Sequence, residues 1–549
     1  MRGPPQDGSG PRRRALLVWP RFGSFSFWNF ERVCQLVGVK YMTPPLGLLT
    51  VAALLPAGWE LRLVDENVRP LEDADLRWAD LVFVGCKIVH RQRALAVIRQ
   101  AVALRKVVVV GGPDPTLHPA LYRSVGPLAL CLGEAELTLP RFLADLARGV
   151  TTGVYEPGGA ADLAGTPVPR FDLVDHRDYL YMAVQYSRGC PHHCEFCNVI
   201  DLFDHRYRTK SPAQVLAELE ALYRLGYRGQ VDFFDDNLVG HVPKAKALLR
   251  ELVGWLESHG HPFQFSTSVT LNVAQDEELL ALFRAARFKY FLVGIETPDP
   301  EALRTALKPQ NTGFSIPEAV DRIYRQAGAT VHSGFLLGLD DEAADIGERI
   351  IQCIDATSIP WVMAGVVYPL PGTQLARRLD AEGRLFPAAR EFDDEAIRDQ
   401  ISAGIQFRTR RPPSQVLDDL LRVLRHSFEP SRYFARCAEA VVRLNTVPNL
   451  VPGLRLFLRN VRTFFRLAWT STRTPRLRGP FWRAFARVVS RNPSGLEAFA
   501  TLSVLYLHFE SLLPYCEEQL GRQQAAIARL GEARWLEAMS AGRPAASLA

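Results

Sequence analysis

The chain has 549 residues, of which 48% are hydrophobic and 23% charged, and a formal net charge of +6. That length exceeds one ordinary domain of about 100–200 residues, and the apolar content excludes a disordered or fibrous chain. No uninterrupted apolar run reaches the ~18 residues of a spanning helix, and the Gly/Pro/Arg-rich start, Met1 to Arg14, lacks the apolar core of a signal peptide and reads as disordered. The nine cysteines are scattered and unpaired outside one triplet, which fits a reducing cytoplasm.

Residues 15–150 alternate strand-like and helix-like runs, the pattern of a parallel sheet covered by helices. Ala15 to Trp19, Glu60 to Val64, Leu81 to Gly85, Val107 to Val110 and Leu128 to Leu132 read as buried strands. Leu46 to Leu55, Arg91 to Leu104 and Glu136 to Ala147 read as helices. Five such strands suit a flavodoxin-like, Rossmann-like doubly wound sheet, whose ligand sits beyond the carboxyl ends of the strands. Asp65, Gly111, Gly112, Gly133 and Glu134 stand at such ends.

A Gly/Pro/Ala-rich stretch within 151–180 marks a linker. Across 181–407 six apolar strand candidates follow: Ala183 to Tyr186, Gln230 to Phe234, Phe263 to Thr267, Tyr290 to Ile295, Val331 to Gly338 and Val362 to Tyr368. Helical stretches such as Pro212 to Leu225, Pro243 to Ser258 and Ser315 to Gln326 separate them. Six βα units predict a partial (β/α)6 barrel with its chemistry at the C-terminal strand ends.

Beyond Phe407 the strand signal stops, and 408–549 reads as a helical C-terminal domain with helices at Pro413 to His426, Ser431 to Leu444 and Ala498 to Glu510. Ala541 to Ala549 reads as frayed. From Arg443 to Leu496 there is no Asp or Glu, while ten arginines fall between Arg455 and Arg491. Such a block expects an anionic partner. Within it Leu454, Phe457, Leu458, Val461, Phe464, Phe465, Ala468 and Trp469 recur at helical spacing beside the arginines. A helix of that pattern lies in a membrane interface or packs on the barrel.

The most specific signal is Arg188-Gly189-Cys190-Pro191-His192-His193-Cys194-Glu195-Phe196-Cys197. A cubane 4Fe-4S cluster normally takes four thiolates, so three on one loop leave an iron open for another ligand. A zinc site is the alternative, with His192 or His193 as the fourth ligand. Behind this loop come Asp235-Asp236-Asn237, Ser266-Thr267, Gly294-Ile295-Glu296-Thr297-Pro298, Gln310-Asn311-Thr312, Gly334 to Gly338 and Leu370-Pro371-Gly372-Thr373-Gln374-Leu375.

The C-x3-C-x2-C spacing and this ordered series resemble the radical S-adenosylmethionine (SAM) superfamily. More closely, they resemble the subfamily that carries a cobalamin-binding domain and includes the hopanoid C-2 methylases. Pro44-Pro45-Leu46-Gly47-Leu48-Leu49 and Val64-Asp65-Glu66-Asn67-Val68 extend the likeness into the first domain, and Phe481-Trp482-Arg483-Ala484-Phe485 into the tail. The resemblance implies a 4Fe-4S cluster on Cys190, Cys194 and Cys197, and SAM held by Asp235, Asp236, Asn237, Ser266, Thr267, Glu296, Gly334 and Gly338. It also implies cobalamin against Asp65, Gly111, Gly112, Gly133 and Glu134. The D-x-H-x-x-G cobalamin motif does not occur, so no histidine is assigned to cobalt; His90 is either a neighbour of the corrin or a helix-entry residue.

The activity implied is C-methylation of an unactivated carbon in a small, lipid or triterpenoid substrate. The cluster and one SAM make the 5′-deoxyadenosyl radical, methylcobalamin gives the methyl group, and a second SAM restores it. A one-electron reductase, ferredoxin or flavodoxin is the expected protein partner, with peripheral contact at an anionic inner membrane face and no nucleic acid. Three departures stand beside the expected site: Asn198 where the family commonly has Asp, Ser268 where it has Glu, and Pro191-His192-His193 in place of the more usual Pro-Phe-Asn. The alternatives are a non-methylating cobalamin-dependent oxidoreductase or cyclase, a methylthiotransferase with a second cluster on Cys34, Cys86 and Cys131, and a cofactor-based sensor.

Overall fold

The computed structural model describes residues 12–23, 26–203, 205–391, 402–447 and 454–543. Most of the expected disordered start and the last residues of the expected frayed end lie outside these, although Arg14 already opens the first strand. By internal contacts the chain divides into two compact units, 1–24, 39–189 and 201–227 forming one, and 25–38, 190–200 and 228–549 the other.

In the first unit β1 (Arg14–Trp19), β2 (Glu60–Asp65), β3 (Leu81–Gly85), β4 (Val107–Gly111), β5 (Ala129–Cys131) and β6 (Gly153–Tyr155) form one parallel sheet in the order β2-β1-β3-β4-β5-β6. Both faces are covered, which explains why β3 and β4 read as unbroken apolar runs. Leu16, Val18, Val82 and Val84 face Leu95 and Ile98, while Ala15, Leu17, Leu81 and Phe83 face Leu48, Ala52 and Phe142. This is the doubly wound order expected, with β6 added from the Gly-rich linker. β7 (Met182–Val184) follows in chain order, then an antiparallel pair, β8 (Ser187–Arg188) with β9 (Arg208–Thr209).

In the second unit β10 (Gly229–Phe233), β11 (Phe263–Val269), β12 (Phe288–Glu296), β13 (Thr330–Leu337) and β14 (Trp361–Val366) are parallel and adjacent in sequence order. Helices Val242–Ser258, Glu277–Ala285, Ile316–Arg322 and Ile346–Thr357 fill the crossovers. The period-2 alternation of a strand separates the two faces. In β12 Phe291, Val293 and Ile295 are fully buried, while Tyr290, Leu292 and Gly294 on the opposite face are partly accessible.

The helical tail comprises Pro413–Phe428, Pro430–Arg443, Leu454–Arg473, Pro475–Arg491, Leu496–Leu530 and Glu532–Ser540. The Leu496–Leu530 helix runs 35 residues, far past the expected Glu510, with Pro514 inside it. Packing holds it through that proline: Phe509 stacks on Phe428, and Gln523 bonds Ala403 and Ile405. The stretch Pro493–Leu530 is long and apolar enough to cross a membrane by length and composition, yet half of its apolar window is buried inside the protein.

Candidate active site

The three thiols lie in the second unit, on the loop that follows β8 in the chain and leads into the short helix Val199–Leu202. Its path is fixed by the chain's own groups. Glu195 N–H donates to Ala306 O at 3.1 Å, and Glu195 O accepts from Leu375 N at 2.7 Å. The buried Glu195 carboxylate takes a two-pronged bond from Arg378, at 2.9 and 2.8 Å, a geometry suited to the planar guanidinium. Asn237 Nδ2 donates to Cys190 Sγ at 3.9 Å and Gln310 Nε2 to Cys194 Sγ at 3.5 Å. Burial raises all three thiols, Cys197 to about 12. Loading a metal here therefore releases protons.

Among the described residues no group of three His, Cys, Asp or Glu side chains converges to hold a single metal ion. Three thiolates around a cubane bind different irons and need not converge on one point. The donor set fits the cluster: three thiols on one loop, with amide N–H groups aimed at two of the sulfurs.

Glu296 ends β12 with φ +66°, a left-handed value uncommon for a non-glycine residue. Lys308 Nζ lies 2.5 Å from its Oε1, and the two side chains are 8% and 12% exposed. Burial alone pushes Lys308 down, but Glu296, Cys194 and Cys197 outweigh it and hold its ammonium above the ordinary range. Gly294 makes room for the pair, since a Cβ there would meet Glu296 Oε1 at 2.2 Å and Lys308 Nζ at 2.7 Å. Asn311 Nδ2 bonds Gly294 O at 2.7 Å. Two buried acceptors, Asn237 Oδ1 and Asn311 Oδ1, have no partner among the described residues. Both acceptors are open to a donor from water or from a bound ligand.

The remaining expected SAM residues divide. Asp235 is buried at 4%, whereas Asp236 is exposed. Gly334 faces Glu296, its Cβ position lying 3.7 Å from Oε2. Gly338 has φ +79° and donates its N–H to Glu342 at 2.9 Å, a turn. Ser266 and Thr267 do not end the third barrel strand, which continues to Val269. They also point to opposite faces, as neighbours in a strand must. Ser266 Oγ donates to Asp232 Oδ1 at 2.6 Å and pairs in register with Tyr290, six residues before Glu296. At about 3.3 Å per residue that is roughly 20 Å along the strand. Gln230, Asp232, Ser266 and Tyr290 thus form a polar layer below the thiol loop, and burial raises Asp232 to about 7. Leu292, Gly294, Leu336 and Met363 stand above that layer, partly accessible. The sequence assigns no site role to Asp232, Lys308 or Tyr290, although Val231-Asp232-Phe233 and the Gln310-Asn311-Thr312 run beside Lys308 belong to the motifs that carry the family resemblance.

In the first unit the expected cobalamin residues gather at strand ends. A Cβ on Gly112, at φ +110°, would meet Cys86 O at 2.6 Å, and one on Gly133, at φ +65°, would meet Pro157 at 2.8 Å, so both positions need glycine. Glu134 is buried and saturated by Arg188 at 2.8 Å, Arg208 at 2.8 Å and Ala161 N at 2.8 Å. It therefore ties the β8–β9 pair to the end of β5. A cavity of about 190 Å3 opens beside it, lined by Thr116, Gly133, Glu134, Pro157, Gly159, Asp201, Leu202 and Phe203. Asp65 accepts from Asn67 at 2.9 and 2.7 Å and from Tyr179 at 3.1 Å, and burial raises it to about 6. Each of these carboxylates already serves a fold contact. His90 enters the Arg91–Ala103 helix, with its ring edge-on to Trp19 and Phe22 and held at about 3 by burial.

Cys86 Sγ sits 3.0 Å from Tyr122 OH, and burial raises Cys34 and Cys131 to about 12. All three behave as buried small hydrophobes.

A doubly wound sheet with glycine-dependent strand ends, followed by a partial barrel bearing an anchored three-thiolate loop, defines a radical SAM enzyme with a cobalamin-binding domain. A B12-binding domain model matches residues 34–143, a radical SAM superfamily model 184–351, and a domain of unknown function 373–522. An uncharacterized methyltransferase of Synechocystis sp. is 36% identical over 93% of this chain and 94% of its own length. The hopanoid C-2 methylase of Rhodopseudomonas palustris is 38% identical over 68% of this chain and 71% of its own length. Among solved structures, the cobalamin-dependent radical SAM enzyme OxsB superposes with TM-score 0.57 at 14% identity, covering 96% of this chain and 84% of that one. The radical SAM methyltransferase TsrM of Kitasatospora setae, with cobalamin and a 4Fe-4S cluster bound, gives 0.51 at 19% identity over 68% and 78%. The chain belongs to the cobalamin-dependent radical SAM methyltransferase family that includes the hopanoid C-2 methylase, and its cofactors are a 4Fe-4S cluster, SAM and cobalamin.

Proposed function

We propose that this enzyme methylates an unactivated carbon of a small, lipid-like substrate of the triterpenoid kind, drawing single electrons from a ferredoxin, a flavodoxin or a dedicated reductase. The observation that carries the reading is the convergence of Asn237, Gln310, Lys308 and Glu296 on the thiol loop of a chain related over nearly its whole length to a methyltransferase. When bound, the cluster and SAM supply reductive SAM cleavage, and cobalamin carries the methyl group.

Cys190, Cys194 and Cys197 hold the cluster. Asn237 and Gln310 donate to two of its sulfurs, which tunes the site through its outer hydrogen bonds. The orphaned Asn237 Oδ1 accepts from the SAM amino group, and Glu296 Oε2, on the side away from Lys308, accepts from ribose hydroxyls. Gly334 leaves space beside that carboxylate. Leu292, Leu336 and Met363 give the substrate an apolar wall, and the Asp232–Ser266–Tyr290 layer gives its far end a polar floor. Ser268, in place of an acid, leaves this face less charged and so better suited to a neutral substrate. A substrate of this kind is collected at a membrane face, and the helical tail supplies a surface for that contact.

The test is anaerobic turnover with methyl-deuterated SAM and a panel of hopanoids. A hopanoid product heavier by one labelled methyl group supports the reading. SAM consumption with a product of unchanged carbon count contradicts methyl transfer, and labelled methylation of another compound class contradicts the substrate.

A further inference from the structure

The helix Leu454–Arg473 has no acidic residue and carries two parallel stripes. Leu454, Leu458, Val461, Phe465 and Trp469 follow one another at intervals of four or three residues, one face of a helix. Arg459, Arg462 and Arg466 each come one residue later, about 100° further round. The other sides are already committed: Leu467 and Ser471, opposite the apolar stripe, are buried, the helix packs on Glu31–Val37 and Pro475–Arg491, and Arg466 of the arginine stripe donates to Leu36 O at 2.9 Å.

Among the described residues nothing covers the apolar stripe. Leu454 is 72% exposed, Leu458 54%, Phe465 66% and Trp469 62%, with Phe457 at 48% beside them. Single exposed apolar residues need no explanation, whereas a contiguous row of large ones marks an interaction surface. Arg473 lies over the Trp469 ring at 4.3 Å, which places a cation at the edge of the row. Arg462 makes no ion pair among the described residues.

We infer that this helix is the membrane-docking element of the protein, lying in the interface of an anionic bilayer with Phe465 and Trp469 among the acyl chains and Arg462 and Arg473 at the headgroups. An apolar face bordered by arginines and free of acids is the composition of an interfacial helix. The only charges on the helix itself are positive, which complements anionic headgroups. The inference stands on the helix and does not require methyl transfer; it identifies the surface at which a lipid-like substrate would be met.

The test uses the reconstituted full-length enzyme and sedimentation with vesicles of phosphatidylglycerol and phosphatidylcholine in equal parts, against pure phosphatidylcholine. Binding is expected to the anionic vesicles only and to weaken as salt rises. Each arginine near such a surface is worth roughly fivefold in affinity, so R462E/R473E should lower it more than tenfold. F465S/W469S should lower it similarly while SAM cleavage persists. Should that variant fold poorly, W469F keeps the shape and reads the same contact: quenching of tryptophan fluorescence by brominated lipid should drop relative to wild type. No binding at low salt overturns the inference, as does binding indifferent to R462E/R473E and F465S/W469S, or lipid quenching in W469F equal to that of wild type. A wild-type dimer in solution that F465S/W469S converts to monomer also overturns it, by assigning the face to a second copy.

Discussion

Replacing Lys308 by Met tests the architecture of the site at its most constrained contact. Lys308 and Glu296 meet at 2.5 Å with 8% and 12% of their side chains exposed. Removing the ammonium leaves a buried carboxylate without compensation, a change that typically costs about 3–5 kcal/mol. At about 2–4 °C per kcal/mol for a unit of this size class, the barrel transition should fall by roughly 6–20 °C. The double variant K308M/E296Q removes both charges, and a neutral pair in low dielectric should recover most of that loss. Differential scanning of wild type, both singles and the double yields the coupling directly. Equal losses in K308M and K308M/E296Q, or a K308M protein as stable as wild type, would refute the view that Glu296 is held by this ion pair.

Glu296→Ala should leave the iron content unchanged and weaken SAM binding about tenfold or more, the worth of a charge-assisted hydrogen bond of about 1.5–3 kcal/mol; equilibrium dialysis reads it. Cys194→Ala should lose the cluster by iron assay and visible absorbance, while Cys353→Ala, in a buried helix position away from the loop, should keep both. Burial raises Asp232 from 3.8 to about 7, so the folded protein keeps a proton the unfolded chain has released, and this contribution to stability is lost as pH rises from about 4 through about 7. Asp232→Asn should therefore gain on wild type across that interval and level off above it. A difference independent of pH between 4 and 8 would contradict the burial of this carboxyl group.

The strands were legible where burial on two faces leaves continuous apolar runs, as in β3 and β4, or where alternation survives, as in β12. β6 escaped because three residues led by Gly153 carry no periodic signal. The third barrel strand was ended too early because Ser266 and Thr267 look like a polar strand terminus, when Ser266 is the inward residue of a polar layer partnered by Asp232. Glu296 was legible from its motif, but its partner was not. Lys308 lies twelve residues on, past a helix and a turn, and only tertiary folding brings the two together. The long tail helix was cut short at Glu510 because Pro514 reads as a breaker in sequence, whereas packing around Phe509 and Gln523 carries the helix past it.

The central claim is a methyl transfer that uses SAM in two ways, and quantifying both SAM products in a single anaerobic reaction tests it most directly. Methylation of an unactivated carbon by this family's chemistry predicts 5′-deoxyadenosine and S-adenosylhomocysteine in equal amounts, each matching the methylated product. Formation of 5′-deoxyadenosine with a converted substrate and no S-adenosylhomocysteine would contradict methyl transfer and make this chain a cobalamin-dependent oxidoreductase or cyclase.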